Sequence, residues 1–251
     1  MTILVISPHL DDAVLGVGAH LAALAEAGTD VLVCTVFAGC AEEPYSEAAI
    51  GFHEECGLSK NPGPIRRVED KSAMTELGVR AVHLDFLDSV YRSYDGQWLC
   101  QSARGMFDRN PRPEPELVNT VIAELDRLAT RIRPEEIWTC LPTGGHIDHL
   151  HTLRATRELG RPTRLWEPLP YSMAEPDAVP AGPVPKLVDI QPRHLERKLS
   201  ALACYRSQMD MLFPGESGWR QELRAYARRR GSVFGSPELL WFDDTERLTD
   251  D

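Results

Sequence analysis

The stretch VISPHLDDAVLGVGAHLA, residues 5–22, joins a short apolar run to a segment in which apolar residues recur with the helical period. The apolar run is continuous, which is typical of a strand covered on both faces. Residues 11–27 show helical spacing, so the stretch predicts a strand-turn-helix unit. One histidine and two adjacent aspartates, His9, Asp11 and Asp12, stand where the strand meets the helix.

The same alternation of strands and helices continues along the chain. Further strands are predicted over 31–37, 81–87 and 137–140, and further helices over 68–77, 116–131, 148–159, around 194–211 and over 218–229. This order predicts a Rossmann-like α/β fold, a doubly wound and mainly parallel sheet with helices on both faces. We expect one domain over 1–251, with a catalytic core of about 1–210 and a C-terminal cap of about 211–251.

The composition excludes several classes of protein. Among 251 residues, 27 Lys and Arg against 38 Asp and Glu give a formal charge of -11. Such a charge repels phosphate backbones and anionic lipid, so neither nucleic acid nor a membrane is an expected partner. No apolar run approaches the ~20 residues that span a bilayer, and six cysteines without a CxxC pair indicate reduced thiols. We expect a cytoplasmic protein that acts on a small molecule, and a homo-oligomer is left open.

A second polar cluster, GGHIDHLHT at residues 144–152, also follows a predicted strand and opens a helix. Ligands of open α/β sheets bind outside the carboxyl ends of the strands, so both clusters are predicted at one edge of the sheet. His9 and Asp12 are three residues apart, as are His146 and His149, and both pairs can converge on one point. Since imidazole and carboxylate are ordinary zinc ligands, the sequence predicts a metal site there.

Each of these residues alone has a simpler interpretation. Asp11 or Asp12 would be a favoured helix N-cap, and His9 could be a hydrogen-bonded buried histidine. His151 fits either a helix surface or a supporting position behind the ligands. The combination at two equivalent strand ends favours a functional site, because so many polar groups would otherwise be buried without a ligand. The remaining histidines are expected to have no catalytic role: His20, His53, His83 and His194.

The two clusters resemble the hallmark motifs of the PIG-L/LmbE-like family of zinc-dependent N-deacetylases, PH-x-DD and a later H-x-D-H. They read PHLDD at 8–12 and HIDH at 146–149. Three more stretches are similar to family elements: RRVEDKSAMTELGV at 66–79, HLDFLDSVYR at 83–92 and KLSALACYRSQ at 198–208. The resemblance implies a metal-dependent hydrolase that removes an N-acyl group, above all N-acetyl, from an amino sugar or a related conjugate, including thiol-cofactor and antibiotic intermediates.

The resemblance also implies a metal and a base. His9, Asp12 and His149 would hold Zn²⁺, with Fe²⁺ or another divalent metal as a possible substitute in the cell. Asp11 would be the general base that takes a proton from the metal-bound water. A carboxylate beside a ligand can reach that water, whose pKa zinc lowers towards ~7.

Four further residues receive roles from the same resemblance. His146 would stabilise the oxyanion or pass a proton to the leaving amine, and Asp148 would orient it. Arg66 and Asp88 would hold substrate hydroxyls.

The sequence departs from the family in three places. Leu10 stands where proline is common and Ala13 where glutamate is common, but neither position must bind the metal. Some members have a tyrosine close before the second motif with an acid or gating role, whereas CLPTGG precedes it here. The acid role then falls on His146, or on Tyr91 or Tyr94 of the irregular segment.

Two other functions are compatible with parts of the sequence. GVG at 16–18 suggests a nucleotide-binding module without hydrolysis, but these glycines fall inside the helix, where close packing explains them better. A degenerate family member that only binds its ligand is disfavoured by the complete motif set. Segment 88–115, rich in aromatics and turn formers, fits either a loop at a pocket mouth or an ordinary surface loop.

Overall fold

The computed structural model describes residues 1–58, 62–107, 112–175 and 188–243. Its strands are β1 (Thr2–Ser7), β2 (Asp30–Thr35), β3 (Arg80–His83), β4 (Ser93–Tyr94), β5 (Gln97–Trp98), β6 (Glu136–Cys140), β7 (Thr163–Trp166) and β8 (Leu240–Phe242). Its helices are α1 (Asp12–Glu26), α2 (Glu47–Glu55), α3 (Pro62–Leu77), α4 (Pro115–Ile132), α5 (Ile147–Arg157), α6 (Tyr171–Ala174), α7 (Pro192–Leu202), α8 (Met209–Leu212) and α9 (Trp219–Phe234). Two 3₁₀ turns cover Ser89–Tyr91 and Ala103–Phe107.

The main sheet has six strands in the order β3-β2-β1-β6-β7-β8. All neighbours are parallel except β7 and β8, which are antiparallel. The chain winds outward from β1 to β3 on one side and from β6 to β7 on the other. The point between β1 and β6, where the winding reverses, is where such sheets form their ligand crevice. The predicted α/β class, with a mainly parallel doubly wound sheet, is confirmed.

The strand β1 lies at the centre and is buried from Ile3 onward. Because successive side chains of a strand point to opposite faces, Ile3 and Val5 pack with α1 and α7, whereas Leu4 and Ile6 pack with α4. Helices therefore cover both faces of β1. Because both faces are buried, its side chains are apolar without alternation.

Several element boundaries differ from those that the sequence predicts. The helix α3 begins at Pro62 instead of residue 68, and β3 ends at His83 instead of residue 87. The helix predicted around 194–211 is two helices, α7 and α8, joined by a turn. The stretch assigned to a C-terminal cap supplies β8, which extends the main sheet. Of the proline-rich run at 168–192, residues 176–187 lie outside the described part.

Close packing accounts for the glycines of α1. A Cβ on Gly16 would collide with the ring of Trp166, and one on Gly18 would lie 2.9 Å from Cγ of Lys198. Between them Val17 has a non-helical backbone, with φ -131° and ψ 19°. The two glycines let Trp166 of β7 and Lys198 of α7 approach α1 around the non-helical Val17. This contact supports the interpretation that the glycines serve packing and not nucleotide binding.

A buried ion pair stabilises this break in α1. Lys198 Nζ donates to the carbonyl of Leu15 and pairs with Glu238 at 2.7 Å, while Glu238 accepts from the backbone N–H groups of Ala19 and His20. Burial acts to raise the pKa of Glu238, but Lys198 and His20 outweigh it and lower that pKa to about 2. The C-terminal stretch is thus tied to the helix that carries the first motif.

Candidate active site

The first motif turns sharply from β1 into α1 at Asp11. This residue has φ 134° and ψ -35°, a conformation that residues other than glycine rarely adopt. Burial first, and the neighbouring charge of Asp12 second, raise the pKa of Asp11 to about 8, against the opposing effect of Arg66. Strained backbone of this kind concentrates at functional sites, because the surrounding structure must hold it.

The carboxylate of Asp12 lies between two imidazoles. Its Oδ2 is 3.1 Å from Nδ1 of His9 and 3.2 Å from Nε2 of His149. Ligands bonded to one tetrahedral ion at ~2.0–2.2 Å lie roughly 3.3–3.6 Å from one another, close to these distances. His149 is fully buried, and within the described residues neither ring nitrogen has a hydrogen-bond partner of good geometry. A buried imidazole that lies beside a carboxylate without a well-formed hydrogen bond fits a divalent metal ion.

The charges of this group also fit a cation. Burial acts to raise the pKa of Asp12, but His149 and His9 hold it well below its usual range. Burial acts to lower the pKa of His149, and Asp12 raises it to about 10. Asp12 and the two imidazoles thus favour one another's charged forms, and a metal ion beside Asp12 would favour its charged form in the same way.

Other donor atoms approach the same point. The ligand atoms of His9, His146 and His149 lie within 4.8 Å of one another, and so do those of His9, Asp88, His146 and Asp148. Asp12 belongs to neither of these two groups within the described residues, but its carboxylate lies 3.1 and 3.2 Å from His9 and His149. The polar residues that follow β1, β3 and β6 thus meet at the switch point, where they suit a divalent metal ion.

The structure differs from the sequence expectation at Asp148. Its carboxylate Oδ2 lies 3.0 Å from Nε2 of His9 and accepts from the backbone N–H of Ser89, and its Oδ1 pairs with Arg92 at 2.7 Å. Only its backbone N–H reaches His146, at 3.2 Å from Nδ1. Metal-ligating histidines commonly donate their second N–H to a carboxylate, and the carboxylate of Asp148 lies against His9 and not against His146.

His146 is the N-cap of α5, and its own ring provides the cap. Because Nδ1 accepts the Asp148 N–H, the neutral ring carries its proton on Nε2, an assignment made from this hydrogen bond. Burial first, then the imidazoles of His9 and His149, hold the pKa of His146 well below its usual range. These surroundings disfavour the protonated imidazole that the sequence suggested as the acid.

Arg66 and Asp88 reach the same cavity as the motifs. Arg66 Nη2 lies 3.7 Å from Oδ2 of Asp11, and its guanidinium packs over the ring of Phe52 at 5.5 Å. Asp88 begins a 3₁₀ turn by accepting the N–H of Val90, and its Oδ2 lies 3.6 Å from Nε2 of His9. The two residues expected to bind substrate therefore line the cavity beside the motif residues.

A buried polar cluster that the sequence did not reveal lies behind the site. Glu114 accepts from Nε and Nη2 of Arg92 at 2.8 and 2.9 Å, from the hydroxyl of Tyr94, and pairs with Nε2 of His151 at 2.9 Å. His151 is thus in the supporting position and not on the helix surface. Its partner stands 37 residues away in the sequence, so no local pattern could have indicated it.

The motif residues form the floor of a cavity of about 530 Å³. Its walls are largely apolar, and the segment after β5 contributes Met106 and Phe107 to them. Segment 88–115 therefore does reach the pocket mouth, through residues 101–107. Tyr91 and Tyr94, the alternative acids, do not line this cavity, because their hydroxyls bond His53 and Glu114.

Among the described residues, no helix is both long and apolar enough to cross a membrane.

A doubly wound sheet with a carboxylate and imidazole cluster at its switch point is compatible with a metal-dependent hydrolase. The sequence pattern of the PIG-L family, described as GlcNAc-PI de-N-acetylase, matches residues 4–159. The chain belongs to the PIG-L family and is a metal-dependent N-deacetylase.

Its relatives extend the similarity beyond the matched part. A solved structure of the zinc-inhibited form of teicoplanin deacetylase Orf2 is 36% identical, with a TM-score of 0.84 over 98% of this chain and 100% of that chain. An antimicrobial pseudoaglycone deacetylase is 33% identical, with a TM-score of 0.76 over 96% and 95% of the two chains. A 2'-N-acetylparomamine deacetylase of Niallia circulans is 24% identical over 96% of this chain and 90% of that protein.

Proposed function

We propose that this protein removes the acetyl group from an N-acetylated amino sugar that is part of a larger, partly apolar small molecule, such as an antibiotic intermediate. The observation that carries the proposal is the cavity. Charged side chains line it at the motif residues, at Arg66 and Asp88, and at Glu47 and Glu55 of α2. Much of the remaining lining is apolar: Leu15, Phe52, Met106, Phe107, Leu169, Met211 and Leu212. Its size lies within the ~300–1,000 Å³ typical of small-molecule sites.

His9, Asp12 and His149 would hold the metal, which we propose to be zinc because two imidazoles and one carboxylate suit it. Bound there, zinc would polarise the amide carbonyl and make water more acidic. One relative was solved in a zinc-inhibited form, so the metal that supports activity has to be identified separately. We expect about one divalent ion per chain, and reconstitution of the metal-free protein with zinc, iron, cobalt or manganese should identify the active one.

Asp11 performs the proton transfers in this proposal. Its carboxylate takes a proton from the attacking water as the carbon–oxygen bond forms, and returns it to the amine nitrogen as the carbon–nitrogen bond breaks. A group whose pKa lies near working pH suits both steps, and burial moves Asp11 in that direction. Arg66, 3.7 Å away, keeps the carboxylate in place.

His146 would act as a hydrogen-bond donor to the developing oxyanion. Its Nδ1 is occupied by the N–H of Asp148, which leaves the Nε2 proton for the substrate. A fixed neutral donor in a buried site stabilises negative charge that appears only in the transition state. Of the two roles that the family resemblance offered, the tautomer favours this one.

The substrate hydroxyls would bind to Asp88, Arg66 and Gln208, which line the cavity above the metal ligands. The apolar walls would contact the remainder of the molecule. Deacetylases of teicoplanin, of an antimicrobial pseudoaglycone and of 2'-N-acetylparomamine are among the relatives, which favours an antibiotic intermediate over a thiol conjugate.

Amine release by the metal-loaded protein tests the proposal. The panel contains free N-acetylglucosamine, the same sugar on an aromatic aglycone, an N-acetylated aminoglycoside and an N-acetylated thiol conjugate. We expect the highest kcat/KM for a conjugate with a bulky partly apolar group, with Asp11→Asn as the inactive control. If the wild-type protein released no amine from any of them with any divalent metal, the proposed activity would be wrong.

A further inference from the structure

A tyrosine from outside the second motif, Tyr171, packs directly beside that motif. Gly144, two residues before His146, has φ 84°. A Cβ built on Gly144 would lie 2.7 Å from Cβ and 2.8 Å from Cγ of Tyr171. The absence of a side chain at Gly144 therefore lets Tyr171, from the start of α6, pack directly against the motif.

Tyr171 belongs to a closed set of four rings at the cavity. The ring of His146 is 5.1 Å from that of His149, His149 is 5.5 Å from Tyr171, Tyr171 is 5.5 Å from Phe107, and Phe107 is 5.3 Å from His146. Two of the rings belong to the second motif. This arrangement fixes the phenol ring of Tyr171 beside the reacting groups, on the wall of the cavity.

The other tyrosines use their hydroxyls within the protein. Tyr45 donates to the carbonyl of Ala41 and Tyr205 to Asp70, and the hydroxyls of Tyr91, Tyr94 and Tyr226 bond His53, Glu114 and Arg230. Within the described residues, no hydrogen bond of this kind engages the hydroxyl of Tyr171, which lines the cavity. Of the six tyrosines in the chain, all of which are described, Tyr171 is the one that lines this cavity.

We propose that the Tyr171 hydroxyl donates a hydrogen bond to the carbonyl oxygen of the scissile amide and strengthens it as that oxygen becomes an oxyanion. This inference rests on the proposed deacetylation. The phenol keeps its proton throughout, so the proton balance of the reaction stays with Asp11. Together with Nε2–H of His146, it forms a two-donor oxyanion site from the segments that follow β6 and β7.

The substitution Tyr171→Phe removes the hydroxyl and keeps the ring that packs on Gly144 and Phe107. Loss of one oxyanion donor costs roughly 10²–10³-fold in kcat, so we expect a fall of about 10²-fold with little change in KM. Metal content should remain that of the wild type. Tyr45→Phe, which removes a hydroxyl bonded only to a backbone carbonyl, is the matched control and should leave kcat unchanged.

Calorimetry with two ligands separates this role from a structural one and does not require turnover. The metal-loaded protein is titrated with an N-acetylated glycoside, whose amide is planar, and with its methylphosphonamidate analogue, which is tetrahedral and anionic. Tyr171→Phe should weaken the tetrahedral ligand by the same roughly 10²-fold as kcat and leave the planar one within about twofold. Equal weakening of both ligands, loss of metal, or an unchanged affinity for the tetrahedral ligand would each overturn the proposal.

The two inferences fail differently. If wild-type protein binds the tetrahedral ligand through Tyr171 but releases no amine, the substrate assignment is wrong and the donor role stands. A second variant, Gly144→Ala, places a methyl group against the Tyr171 ring. We expect Gly144→Ala to lower kcat. Adding Tyr171→Phe to Gly144→Ala should lower kcat by less than Tyr171→Phe does in the wild type, because both substitutions act through one hydroxyl.

Discussion

Two buried polar clusters lie side by side at the carboxyl edge of the sheet, and they differ in how completely their hydrogen bonds are formed. The site cluster, around Asp12 and His149, has imidazole nitrogens without good hydrogen-bond partners and a strained backbone at Asp11. In the supporting cluster, Glu114 is bonded by Arg92, Tyr94 and His151. A cluster with complete hydrogen bonds stabilises the fold, whereas one with incomplete hydrogen bonds is suited to bind a ligand.

The largest effect is expected on activity, within the site cluster. Asp11→Asn should keep the metal and lower kcat by roughly 10²–10⁴-fold, because it removes proton transfer without removing a ligand. Asp12→Asn should lose the metal as well as the rate. Metal analysis after dialysis, with kcat on the same samples, checks both. Equal metal loss in the two variants would require the roles of base and ligand to be exchanged.

The supporting cluster should respond in the opposite way. Glu114→Ala removes the carboxylate that bonds Arg92 and His151, while Arg92 keeps its pair with Asp148, so we expect a loss of about 3 kcal/mol in the free energy of unfolding. Denaturant unfolding measures it. The matched control is Glu124→Ala, which breaks the exposed pair with Arg127 and should cost less than about 1 kcal/mol. A Glu114→Ala protein of wild-type stability would remove the distinction between the clusters.

Asp148 connects the two clusters, because it bonds both His9 and Arg92. Asp148→Asn should therefore lower metal affinity by roughly 10–100-fold, the usual effect of losing the partner of a ligating histidine. Competition with a chelator of known affinity gives the metal affinity of the variant and of the wild-type protein. If Asp148 oriented His146 instead, as the sequence suggested, affinity would stay constant and only kcat would fall.

The sequence predicts the site cluster better than the supporting one for a topological reason. His9, Asp12 and His149 follow the ends of β1 and β6, and parallel strands bring their carboxyl ends to one edge whatever the details of packing. The bond from Arg92 to Glu114 joins residues 22 positions apart across an irregular segment, and that from His9 to Asp148 joins residues 139 apart. Such partners depend on side-chain geometry that no local period encodes.

The same reasoning explains which elements were missed. The helix α2 buries only Ala49 and His53, so its apolar spacing is too weak to indicate a helix. Tyr171 stands far from both motifs in the sequence, and only the contact with Gly144 indicates its place. The contact between Tyr171 and the second motif is therefore visible only in the fold.

The smallest effect concerns the backbone strain at Asp11, and it tests whether the site cluster is held at a cost in stability. A residue other than glycine at φ 134° is strained by roughly 1–3 kcal/mol. Asp11→Gly and Asp11→Ala both remove the buried carboxylate and leave Arg66 without that partner, so their difference isolates the backbone. Glycine adopts positive φ without a Cβ penalty, whereas its greater freedom in the unfolded chain opposes the gain by up to ~1 kcal/mol. We therefore expect the free energy of unfolding of Asp11→Gly to be about 1 kcal/mol higher than that of Asp11→Ala. Denaturant unfolding of the metal-free proteins measures this difference, so that ligand binding does not contribute. Should the alanine variant be the more stable of the two, the turn is not strained by its side chain, and the geometry of Asp11 follows from the packing of β1 and α1 alone.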